Sequence, residues 1–154
     1  MSPHIYNTKR YIEVMVSIMV SRDIPESLDK VWGIISDIDN EPRYWHGTKS
    51  VKNINKDGNT VEREIVIAFR ESRCRELVIL DPKKSVKANI IDGIMRGTEK
   101  SIIVNSNGVN RTKIDVVWNL RISGFKKMFA MMIKKHIKQG TEDALTRIAN
   151  TVAS

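Results

Sequence analysis

One cysteine, Cys74, stands in 154 residues, so no internal disulfide framework can form. Histidine is nearly as scarce. His4, His46 and His136 lie far apart, and no cysteine or histidine repeats at ligand spacing, so no metal is expected. A phosphate-binding loop and a dinucleotide fingerprint are missing as well. The segment "DGIMRG" has two glycines but not the pattern, and no cofactor is expected. Long apolar runs are absent too. The stretch from Val14 to Val20 is far too short to span a bilayer, and no targeting segment is recognisable. No repeat, low-complexity tract or dividing linker interrupts the chain. One domain over residues 1–154 and a cytoplasmic location are the expectations.

What is present is ordinary for a globular protein: 41% hydrophobic and 29% charged residues, with enough length for a sizeable core. The net charge is +8, but the basic residues are spread over the whole chain. The densest group is Lys126, Lys127, Lys134, Lys135 and Lys138. At about 100° per residue, Lys127, Lys134 and Lys138 share one side of a helix. A solvated helix face accounts for them. Nucleic acid is a disfavoured partner, and weak contact with an anionic membrane surface is the other reading of this charge.

The patterning gives an order of elements. Residues 11–21 are rich in β-branched side chains and read as a strand. Pro25 suits a first helical turn, and Ile24, Leu28, Val31, Trp32 and Ile35 recur at helical spacing. Residues 37–45 make a second short helix, with Asp37 or Asp39 as cap. Turn signals at 57–58, 81–82 and 107–108 then separate strands at 49–55, 59–69, 72–80, 85–92, 97–106 and 110–122. A long helix follows Gly124. The fold class is therefore α+β. A strand, two short helices and six more strands form a curved antiparallel seven-stranded sheet around a long C-terminal helix.

That order, and the local sequence, resemble the START-like helix-grip superfamily, also called SRPBCC. "IPESLDKVWGIISDIDNEPRYW" is similar to its N-terminal signature, carried here by Val31, Trp32, Asp37 and Trp45. "NGVNRTKIDVVW" is similar to its last hairpin, with Thr112 after the turn, and "GTEDALTRI" to the end of its long helix. The superfamily includes polyketide cyclases, coenzyme Q-binding proteins, plant allergens and lipid-transfer domains. The resemblance implies a hydrophobic or amphipathic ligand, such as a lipid, quinone or polyketide, held between sheet and helix. Catalysis of the cyclase or dehydratase kind is the alternative, and would need at least two convergent polar groups. A third reading is an interaction module that uses its basic surface.

On that architecture the cavity would be lined by Tyr44, Trp45, Ile65, Ile67, Phe69, Phe125, Phe129, Met132, Ile133 and His136. Tyr44 and Trp45 would close one end, although Trp45 serves equally as core packing. Residues Thr112, Ile114, Val116, Trp118 and Leu120 alternate with polar neighbours and form an inner strand face. If Asn107-Gly108 is a two-residue turn, Ile103 faces Thr112, Ser101 faces Ile114 and Glu99 faces Val116, all inward. Glu99 is then the one candidate catalytic or anchoring carboxylate. If the turn carries a bulge, the register slips and Lys100 faces inward instead. Cys74 lies between Arg73 and Arg75, but strand neighbours point to opposite faces, so a buried, inert thiol is the better reading. Along the last helix, the Phe125-to-His136 stripe and the stripe of Ala144, Leu145, Ile148 and Val152 diverge, which predicts a bend near Gly140.

Overall fold

Alternation governs the first strand, β1 (Val14–Ile24), which turns Ile18 and Val20 into the core and leaves Met15 and Met19 exposed. The computed structural model describes residues 14–122 and 127–154. The strand runs further than its apolar run suggests, because Ile24 is buried and pairs with Thr112. The first helix consequently starts late. In α1 (Leu28–Ile35) the Ser27 side chain accepts a hydrogen bond from the Lys30 amide, Asp29 stands in the first turn, and Val31 and Ile35 are buried. A 3-10 segment, Ile38–Arg43, takes the place of the second short helix.

Six strands follow: β2 (Thr48–Asp57), β3 (Thr60–Ile67), β4 (Ser72–Asp81), β5 (Ser85–Asp92), β6 (Glu99–Ser106) and β7 (Thr112–Ile122). With β1 they form one curved antiparallel sheet in the order β1-β7-β6-β5-β4-β3-β2. The long helix α2 (Lys127–Ala153) packs on it beside α1, giving the expected helix-grip α+β fold.

The β6–β7 connection departs from the two-residue turn. The loop spans Asn107 to Arg111, closed by the Asn107 amide donating to the Arg111 carbonyl at 2.7 Å, with Gly108 at φ +126°. Ser106 therefore pairs with Thr112, Ile102 with Val116, and Lys100 with Trp118. The phase of β7 is as expected: Thr112 is buried, and its hydroxyl donates to the Glu26 carbonyl at 2.8 Å. The phase of β6 is reversed. Glu99 is exposed, Ser101 and Ile103 lie on the outer face, and Lys100, Ile102 and Val104 point inward. The expectation that Glu99 faces the interior is thus corrected.

The helix does not break at Gly140, since α2 is continuous from Lys127 to Ala153. Its inward stripe runs through Ala130, Ile133, Ile137, Thr141, Ala144 and Ile148, at steps of three and four residues. Counting Met132 and His136 as inward, and leaving out Thr141, created the apparent divergence. A Cβ at Gly140 would meet nothing within 4 Å. Gly140→Ala should therefore stabilise the protein by about 0.5–1 kcal/mol. Urea unfolding checks this: the midpoint should rise with an unchanged slope, and a fall would restore the hinge.

Candidate functional site

Strand alternation carries charge into the interior. The inner face of β3 presents Val61, Arg63 and Ile65; that of β4 presents Cys74, Glu76 and Val78. Arg63 and Glu76 are direct cross-strand partners. Arg63 has 0% of its surface exposed. Its Nε donates to Glu76 Oε1 at 2.8 Å, one terminal nitrogen to Glu41 Oε1 at 2.7 Å, and the other to the Ile38 carbonyl at 2.8 Å. The guanidinium fork thus ties the sheet to the 3-10 segment. Glu41 is placed by that segment, where its carbonyl accepts the amides of Tyr44 and Trp45.

Lys100 completes the cluster from β6. It is 7% exposed, and its ammonium lies 3.8 Å from Glu41 Oε1, too far for a hydrogen bond. It sits 4.1 Å from the centroid of Trp45 and 5.2 Å from that of Trp118. The two indoles meet edge to face, with centroids 6.4 Å apart. Trp118 Nε1 donates to the Thr141 hydroxyl at 3.0 Å, and that hydroxyl donates to the Ile137 carbonyl at 2.7 Å. Lys100 is therefore fixed between the sheet and α2. Among the described residues no acceptor stands within hydrogen-bonding distance of its ammonium.

The two carboxyls are shifted in opposite directions. Burial would raise Glu41, but the charges of Lys100 and Arg63 outweigh it and hold the carboxyl below the usual range. Burial pushes Glu76 up, the Glu41 charge adds to the rise, and Arg63 and Lys100 offset it only in part. Arg63 stays charged: burial works against it, and Glu41 and Glu76 more than compensate. Glu41 Oε2 is buried without a hydrogen-bond partner. Glu41 also lines a cavity of about 20 Å³, room for about one water, with Ile35, Ile38, Trp45, Ile102 and Ile148.

Several expected residues fall in place. Tyr44 and Trp45 are buried, and Arg147 on α2 donates to the Tyr44 carbonyl at 3.0 Å. Ile65, Ile114, Val116 and Ile133 are buried; Ile67, Phe69, Trp118 and Phe129 are half-buried against the same core. Phe69 packs on Phe129 with centroids 5.8 Å apart, under the Arg70 guanidinium. Met132 and His136 do not join them, being exposed on the solvent side of α2, and Phe125 lies outside the described residues. Cys74 is buried, and burial pushes its thiol up, away from the reactive thiolate. Glu41, Arg63 and Glu76 were missed, and Lys100 is the inward residue only on the alternative of a bulged turn. Their signal was charge in phase with apolar residues, as in Val61, Arg63, Ile65. Among the described residues no His, Cys, Asp or Glu group could hold a metal ion.

The sequence profile of the family described as polyketide cyclase / dehydrase and lipid transport matches residues 15–153. No curated protein sequence matches. Among solved structures, the Zhui aromatase/cyclase of a Streptomyces species is similar with TM-score 0.77 at 10% identity, over 91% of this chain and 94% of that one. The di-domain aromatase/cyclase StfQ of the steffimycin biosynthetic pathway gives 0.74 at 8%, over 89% of this chain and 50% of that one. Norcoclaurine synthase from Thalictrum flavum, in complex with dopamine and hydroxybenzaldehyde, gives 0.68 at 18%, over 99% and 94%. At these identities the likeness establishes the fold.

Two outcomes follow from the charge cluster. Arg63→Met would leave Glu41 and Glu76 buried without their cation, and should cost about 3–5 kcal/mol in urea unfolding near neutral pH. The pH dependence tests Glu76. Its folded pKa is raised from 4.5, so ionisation costs stability above that folded value. As pH falls through it, the wild type should gain stability relative to Glu76→Gln, until the gain ends near the unfolded value. Glu41 acts in the opposite sense, because its pKa is lowered from 4.5 and its contribution is lost as pH falls below that value. Wild-type stability that, relative to Glu76→Gln, stays flat with pH or falls as pH falls toward 4.5 would contradict the assignment.

Proposed function

The chain belongs to the polyketide cyclase, dehydrase and lipid transport family, and on that premise we propose that it binds a small molecule with an apolar or aromatic body and an oxygen-bearing end. The observation that carries this reading is Lys100. A lysine ammonium has three N–H donors, and burying them without acceptors is costly. Here two indole faces and a distant carboxylate partly compensate the charge, and Nζ, unlike Glu41 Oε2, is not sealed from solvent, so its donors are open to water or to an incoming oxygen. A phenolate, carboxylate or polarised carbonyl can accept a hydrogen bond from this ammonium. With α2 parted from the sheet, Trp45 and Trp118 would supply apolar contact for the rest of the ligand.

Entry requires the first turns of α2 to part from the β3–β4 connection, where Phe129 meets Phe69. Arg70 and Glu71 in that connection have positive φ of 57° and 48°, a backbone conformation that side chains other than glycine seldom adopt. Opening there would expose the Ile65 and Cys74 end of the interior, next to the Arg63–Glu76 pair.

A second reading, catalysis of the cyclase or dehydratase kind, is favoured by Glu76. Its raised pKa, beside the fixed charges of Arg63 and Lys100, suits a group that gives and takes a proton. On this reading Glu76 and Lys100, rather than Glu99, would be the two polar groups that the chemistry needs.

Binding can be followed by quenching of tryptophan emission with two probes of one shape, naphthoate and naphthalene. Naphthoate should bind more tightly to the wild type, and Lys100→Met should remove about ten- to a hundredfold of its affinity, the value of a charged hydrogen bond. Naphthalene should be little affected. Equal losses for both probes would make Lys100 a packing residue only.

A further inference from the structure

The solvent face of α2 has a composition that the interior does not explain. Met128, Met131 and Met132 are 82%, 65% and 55% exposed within two turns of helix. Lys134, Lys135 and Lys138 are exposed on the next two turns. Residues 125–141 hold five lysines and not one carboxylate; the acids of this helix begin at Glu142. At about 100° per residue, Met128, Met131, Met132 and Lys135 share an arc, with Lys138 at its edge. The opposite arc is the buried one, through Ala130, Ile133 and Ile137. Two apolar stripes therefore run on opposite sides of the same turns, and among the described residues only one is covered.

We propose that this outer stripe docks the protein on an anionic lipid surface, with the methionines entering the headgroup boundary and the lysines meeting the lipid charge. Three features favour lipid over a protein partner. The face is built mainly of flexible thioethers and long ammonium side chains, with Gln139 beside them, which suit a fluid, charged layer and offer no shaped anchor. Its charge has one sign. It also lies on the turn that carries Phe129, whose ring packs on Phe69 at the point of entry that the proposed function requires. A poorly soluble ligand could thus pass between bilayer and protein without crossing water. The contact is interfacial: among the described residues no helix is long and apolar enough to cross a membrane.

Flotation with vesicles of phosphatidylcholine, alone or mixed with phosphatidylglycerol, tests the proposal on the full chain. Binding is expected to the mixed vesicles, and should fall steeply as salt is added. The triple variant Met128→Ser, Met131→Ser, Met132→Ser should lose about tenfold or more at constant charge. Replacing Lys134, Lys135 and Lys138 by Gln should lose about fivefold per lysine. These residues are exposed, so thermal unfolding should hardly change, which separates the effect from misfolding. Lys100→Met should leave vesicle binding intact, so loss of the interior site and loss of docking are distinguishable. Absence of binding to the mixed vesicles would overturn the proposal. So would binding that the serine variant retains in full, or a dimer in size-exclusion chromatography that the serine variant dissociates, which would make the stripe a self-contact.

Discussion

Arg63 is the constraint on which the interior depends. A guanidinium without exposed surface must have its donors met, and here one acceptor on β4 and two on the 3-10 segment meet them. Removing these charges from water costs several kcal/mol per ion, and mutual attraction repays that only when the geometry is held. The geometry is held by the sheet. Arg63 and Glu76 are opposite each other in the β3–β4 ladder, and Glu41 is carried in by a segment whose own backbone is bonded to Trp45. A hydrophobic replacement could be as stable. A charged centre in the core therefore points to use rather than to stability, and the use argued here is selection of a polar ligand end by Lys100.

The fold was legible because it is written in many weak signals that agree. Turn residues, strand alternation, the Ser27 cap and the order of elements all point to one sheet and one long helix. The site was less legible. The turn at Asn107-Gly108 was read as the shortest hairpin, but Gly108 serves a five-residue loop. Because side chains alternate, that difference reversed the whole of β6 and replaced Lys100 by Glu99 as the inward residue. Arg63 and Glu76 were visible as charges in phase with Val61, Ile65, Cys74 and Val78. They were passed over because a charge in a strand is ordinarily a solvated one. On α2, Met132 and His136 are placed wrongly by hydrophobicity alone, whereas Ala130 and Thr141 are inward because they allow close approach to the sheet and, for Thr141, because Trp118 needs an acceptor.

The interior and the outer face of α2 are coupled by position. The helix closes the cleft with one side and exposes methionines and lysines on the other. Its C-terminal half is fixed by Ala144, Leu145 and Ile148 in the core and by Arg147 on the Tyr44 carbonyl. Its first turns meet the β3–β4 connection through Phe129. Movement is thus expected at the N-terminal end, without a hinge at Gly140, and a ligand that binds only the closed form would stabilise it by mass action.

The central claim is that Lys100 faces an oxygen of a largely apolar ligand. Native mass spectrometry of the protein as purified, followed by release and identification of the bound species, tests it most directly. The account predicts a non-covalent small molecule with an apolar body and a phenolic, carboxylic or carbonyl oxygen. An oxygen-free hydrocarbon as the bound species, or protein that stays empty when offered naphthoate, would contradict it.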